Sequence, residues 1–137
     1  MGYLKNELSE KSKYWLPKHR YLELKHFCLQ YPDWRKRLNE INDISARNIV
    51  TTVSDQISNE TERIALERVV LQSKISLIEH TAMETAGNLW IFLLKGVTED
   101  GVTYVYLRNM YDIPCGRNMY YELYRRFFWL LSRSDEK

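Results

Sequence analysis

The 137 residues predict an all-α fold, a small helical domain with a long central helix and a C-terminal helix-turn-helix. Three observations carry this. Glycine and proline are scarce, five and three in all, and Leu, Glu, Arg and Lys are common, which favours helix. Apolar residues recur at helical spacing through 59–86. The stretch IPCGRNMYYELYRRFFWLL (113–131) opens on an Ile-Pro turn and continues as an amphipathic helix after a shorter one. A hydrophobic share of 45% suffices for one core, and the length suits one domain. Residues 1–57 read as an N-terminal helical arm and connector. Residues 58–137 read as the long helix plus the helix-turn-helix, the whole packed as one unit.

Residues 1–13 are polar and read as loosely packed. Pro17 stands where a first helical turn tolerates proline. Leu24, Phe27, Cys28 and Tyr31 then share one helical face. Pro32 lacks an amide proton and restrains Tyr31, so a corner is expected there, followed by a short helix with Trp34, Leu38 and Ile41 on its apolar side. Residues 44–58 lose the periodicity and read as a connector.

Asn59 and Glu62 have the spacing of a capping box. The helix they open carries Ile64, Leu71, Ile75, Ile78 and Ala82 on one side and Leu66, Val70 and Leu77 nearly opposite. Two apolar sides require two partners, so this helix is either central to the domain or also pairs with a second copy. Gly87 is its natural stop. NLWIFLLKG reads as a short apolar helix ending at Gly96, and VTYVYLRNMY (102–111) as another helix. A turn at Asp112-Ile113-Pro114 leads into the last helix, whose start falls at Cys115, a weak cap.

Charge is unevenly placed around a net of +2. Residues 1–57 hold ten Lys/Arg against seven Asp/Glu, 58–100 four against seven, and 101–133 five against two. A basic C-terminal surface follows. Cys28 and Cys115 are far apart and form no paired motif, which fits a reducing cytoplasmic setting. The N-terminus lacks the apolar core of a signal peptide, and LWIFLL (89–94) is too short to span a bilayer, so no membrane partner is expected.

Projected at helical pitch, Met119, Leu123, Phe127 and Leu130 fall on one side of the last helix, with Tyr120 at its edge. Arg117, Asn118, Tyr121 and Arg125 fall opposite. Arginine suits guanine edges and phosphates, asparagine pairs with adenine, and tyrosine hydroxyls reach phosphates. Arg126 and Arg108 read as phosphate or structural contacts. Tyr121, Phe128 and Trp129 are the candidate protein-interface residues, because large aromatics off the core side need a cover. Double-stranded DNA and a protein partner therefore both remain open from the residues alone.

The tracts TERIALERVVLQSKISLIEH and GVTYVYLRNMYDIPCGRNMYYELYRRFFWLL resemble the small phage and prophage regulators of the RinA/ArpU type. Ile113, Pro114, Tyr124, Arg125, Arg126, Phe127 and Phe128 carry most of the likeness, and Tyr31, Pro32, Asp33 and Trp34 are similar to that group too. The resemblance implies a late-gene transcription regulator in a bacterial host, with a helix-turn-helix like that of sigma-factor region 4. It implies duplex DNA as partner, beside host RNA polymerase. The alternative is a phage protein that binds and inhibits or redirects a host protein complex.

No enzyme signature is present and none is expected. His19, His26 and His80 stand isolated, GVTEDG lacks the lysine and helix of a phosphate loop, and no Ser, Cys or His spacing pairs a nucleophile with a base. No cofactor is expected.

Overall fold

Pro17 occupies the N-cap position of the first helix, where its φ of −57° and missing amide proton cost nothing. Helix α1 (Lys18–Leu29) buries Tyr21, Leu24 and Cys28; of the face expected from spacing, Leu24 and Cys28 are buried, Phe27 is partly buried, and Tyr31 falls in the next helix and is partly buried there. This computed structural model describes residues 13–48 and 59–134. The chain turns at Gln30, and α2 (Tyr31–Asn48) carries Pro32 in its first turn. The expected corner is therefore present, and Trp34 and Ile41 are buried beyond it.

Helix α2 is longer than its sequence suggests. Residues 44–48 continue it instead of opening the connector. Tertiary contact overrides weak propensity here, as Arg68 across the interface donates to the Ser45 hydroxyl. The rest of the expected connector, 49–58, lies outside the described residues, as do residues 1–12.

Four helices follow: α3 (Asn59–Ala86), α4 (Trp90–Thr98) after a 3-10 turn at Gly87–Leu89, α5 (Tyr104–Tyr111) and α6 (Arg117–Ser134). No strand occurs among the described residues. At 28 residues, α3 spans about 42 Å and packs against α2, α4 and α6. Its buried side holds Leu71, Ile75, Ile78 and Ala82, with Ile64 partly covered. Arg37 clamps α2 to it, donating through Nε and Nη2 to the Glu67 carboxylate at 2.8 and 2.9 Å. The central-helix reading of α3 thus holds. Leu66 and Val70 of its second stripe are nevertheless exposed.

Gly87, at φ +55°, ends α3 in a left-handed turn. Gly96 does not end the next helix as expected; it lies inside α4. A Cβ at Gly96 would stand 1.9 Å from the Tyr120 hydroxyl oxygen, so the glycine lets an α6 ring rest on the α4 backbone.

Helix α1 closes over α4 and α6. The Lys25 ammonium donates to the Gly96 and Val97 carbonyls at 3.2 and 3.3 Å, satisfying acceptors at the C-terminal end of α4. Arg20 donates to Ser132 near the end of α6. The Tyr21 and Phe128 rings meet edge to face at 5.1 Å. No helix among the described residues is long and apolar enough to cross a membrane.

Candidate nucleic-acid interface

The site expected from sequence is formed by α5, residues 112–116 and α6. Thr103 starts α5, its hydroxyl accepting from the Tyr106 amide at 3.2 Å. Asp112 ends the helix in the left-handed region at φ 51°, a conformation that costs a non-glycine residue energy. Its amide donates to the Arg108 carbonyl, and its carboxylate meets Arg108 Nη1 at 3.2 Å. Ile113, 1% exposed, pins the turn into the core. The Tyr104 hydroxyl donates to the Cys115 carbonyl at 2.7 Å, tying the far end of the turn back to α5. Gly116, not Cys115, precedes the first residue of α6, and glycine is an accepted N-cap.

The buried side of α6 differs from the sequence projection. Tyr120, Tyr121, Phe127, Phe128 and Leu131 are buried, whereas Met119 is 52% exposed. The helix is turned by about 100°, one residue's worth, relative to the side marked by Met119, Leu123, Phe127 and Leu130. The cause is an aromatic core that includes hydroxyls. The Tyr124 and Tyr21 hydroxyls share a hydrogen bond of 2.9 Å, and the Tyr121 hydroxyl accepts from the Tyr104 amide at 3.3 Å. Partnered in this way, tyrosines can face inward. The Tyr120 hydroxyl is buried over Gly96 with no protein partner.

Three placements are corrected by this rotation. Tyr121, expected on the outward face, is buried and forms a platform for Arg117, whose guanidinium lies 5.3 Å from its ring centre. Phe128, expected off the core side, is in the core at 1% exposure. Met119, expected as the first core anchor, is on the surface. Trp129 is half-buried and meets Tyr14 of the N-terminal segment at 5.5 Å. Arg117 and Asn118 are exposed at the start of α6, and Arg108 is exposed on α5. Arg125 and Arg126 are half-buried further along.

The outer surface of α5 and the first turn of α6 is also apolar. Val105, Tyr106, Met110, Tyr111 and Met119 are all exposed. Spacing alone did not mark the four on α5, because an eight-residue helix gives too few turns to separate an inner from an outer side.

Beside this pair of helices, a cleft of about 340 Å³ lies between α1, the end of α4 and the tyrosines of α6. Lys25 lines it, and burial holds its ammonium below the usual lysine range. Burial pushes the Cys28 thiol beneath it up to about 12, which leaves an inert protonated thiol. Among the described residues, no three His, Cys, Asp or Glu side chains gather where a metal ion could be held.

Comparison with known proteins gives no match to any protein-family model, curated protein or solved structure.

Proposed function

We propose that the chain is a phage-type transcriptional regulator that binds duplex DNA through a helix-turn-helix made of α5 and α6. The observation that carries the reading is the start of α6. Arg117 and Asn118 are exposed there, beside backbone amides of the first turn that have no partner within the helix. Arg117 rests on Tyr121, which limits the side-chain freedom it loses on binding. On this reading Arg117 and Asn118 address base edges or phosphates. Arg108, Arg125 and Arg126 contribute positive charge along the backbone track, and Tyr121 acts as a support instead of a contact. The reading includes self-association through the 59–86 helix, because two reading helices on a dimer address two half-sites.

The test is fluorescence anisotropy with duplex fragments selected from phage genomic DNA, repeated across a salt series. Affinity is expected to fall steeply with salt, and Arg117→Ala to weaken binding by about tenfold or more. Undetectable or salt-insensitive binding overturns the proposal.

A second reading has its own support. Exposed Met, Tyr and Val beside an arginine are the composition of a protein contact, so the same helices suit a host protein complex such as RNA polymerase. Met110→Asp separates the two readings. It abolishes capture of a protein partner if α5 docks one, and it leaves salt-sensitive duplex binding in place if α6 reads DNA.

A further inference from the structure

We infer that two copies of this chain pair antiparallel along the outward side of α3, about a two-fold axis at the level of Leu71. This deepens the self-association included above and does not depend on the partner of α6.

The buried side of α3 is marked by Leu71, Ile75, Ile78 and Ala82. Diametrically opposite, at steps of four and three residues, stand Glu62, Leu66, Val69, Ser73, Ser76 and His80, every one exposed. That alternation has the 3.5-residue spacing of a coiled-coil seam, apolar at Leu66, at Val69 and, with 40% exposure, at Met83, and small or polar between them. Leu66, Val69 and Val70 are 68%, 62% and 50% exposed and lie side by side, a contiguous apolar patch on the outer side of the helix. The open strip is therefore continuous for about six turns.

The seam is complementary to itself in one orientation. Run antiparallel about Leu71, it sets Leu66 opposite Ser76 of the second copy and Val69 opposite Ser73. Each large side chain faces a small one, the condition for knobs to enter holes. At both ends Glu62 faces His80, a carboxylate opposite an imidazole. Val70, 50% exposed beside the seam, meets its own copy near the axis. A parallel arrangement places Glu62 on Glu62 and Ser73 on Ser73, which repels at one layer and leaves a gap at another. A two-fold pairing closes on itself and leaves no open edge. It also relates the two α6 helices by a dyad, the symmetry of a palindromic duplex site.

The experiment uses the full chain with Cys115→Ser, since Cys28 is buried. Leu66→Cys and Ser76→Cys proteins are prepared separately, then oxidised alone and mixed. The inference expects a disulfide dimer in the mixture and none in either protein alone, because residues 66 of the two copies lie about 15 Å apart along the seam. Without cysteines, sedimentation is expected to show a concentration-dependent dimer whose dissociation constant rises at least about tenfold in Val69→Glu. Unchanged circular dichroism in that variant shows that its fold is intact. A monomer at every concentration, or disulfides within each single-cysteine protein alone, overturns the inference. Disulfide formation in a protein that binds no duplex counts against the DNA reading only.

Discussion

Helices α3 and α6 solve the same problem with different residues. Each buries one side against the domain and leaves the other outward. Helix α3 buries an aliphatic stripe, Leu71, Ile75, Ile78 and Ala82. Helix α6 buries an aromatic one, in which Tyr120 and Tyr121 are packed as deeply as aliphatic neighbours would be. Aliphatic side chains carry no polar group to place, so the longer aliphatic repeat of α3 marks its inner side, while Leu66 and Val70 stand exposed on the other. A tyrosine can face inward or outward according to whether its hydroxyl finds a partner, and that partner lies on another helix. Here Tyr21 on α1 and the Tyr104 amide on α5 supply two of them.

The largest expected effect tests this contrast within α6. Phe127→Ala removes a fully buried ring and is expected to cost about 3–5 kcal/mol, comparable to the loss from Ile78→Ala on α3. Met119→Ala is expected to change stability by less than about 0.5 kcal/mol, although spacing alone ranks it as a core anchor. Urea unfolding of the three variants decides it. Equal losses from Met119→Ala and Phe127→Ala would show α6 turned the other way.

Alkaline pH gives the next effect. The folded value of Cys28 is raised, so its contribution is complete below its ordinary value of 9.0 and is lost as pH climbs towards about 12. The loss is about 1.4 kcal/mol per pH unit within that window. Tyr120 and Tyr124, also raised by burial, steepen the fall above 10.0. Cys115, also raised by burial from 9.0, adds to the loss in the same window, so unfolding midpoints measured from pH 8 upward should decline less steeply between about pH 9 and 10 in Cys28→Ala than in the parent. An equal slope in both proteins would remove Cys28 from the account.

Gly96→Ala brings a methyl onto the Tyr120 hydroxyl and is expected to destabilise by about 1–3 kcal/mol, although alanine is ordinarily the better helix former. Tyr120→Phe, which removes a buried hydroxyl without a protein partner, is expected to be neutral or slightly stabilising. Combined, the two changes should cost less than their sum. Strict additivity of the melting shifts would mean that the ring does not rest on α4. Asp112→Gly is expected to give a gain of up to about 1 kcal/mol from relief of the left-handed backbone, offset by the lost pairing with Arg108. A lower melting temperature in that variant would show that the ion pair outweighs the strain.

Legibility followed the chemistry of each segment. The all-helical class, the corner at Pro32, the stop at Gly87 and the inner side of α3 were legible because a ring, a missing side chain or an aliphatic repeat admits few alternatives. The extension of α2 through 44–48 was not, since Ser45, a weak helix former, is held there by a contact with Arg68 on another helix. Gly96 looked like a terminator and is a contact point, a difference that exists only once Tyr120 arrives from another helix. At the candidate interface, the outward positions of Arg117 and Asn118 were legible, while Tyr121 and Phe128 were misplaced by the one-residue rotation.

Lys25 carries a consequence for how the molecule can be divided. Its ammonium satisfies carbonyls at the end of α4, and its neighbours on α1 cover Phe128 and Tyr124. A fragment beginning at Asn59 would retain the α5–α6 pair in sequence and lose the lid over its aromatic inner side. Such a fragment would expose rings that are covered in the whole chain and would tend to cluster with itself. Studied in isolation, the C-terminal half would report the stickiness of a cut surface as though it were recognition.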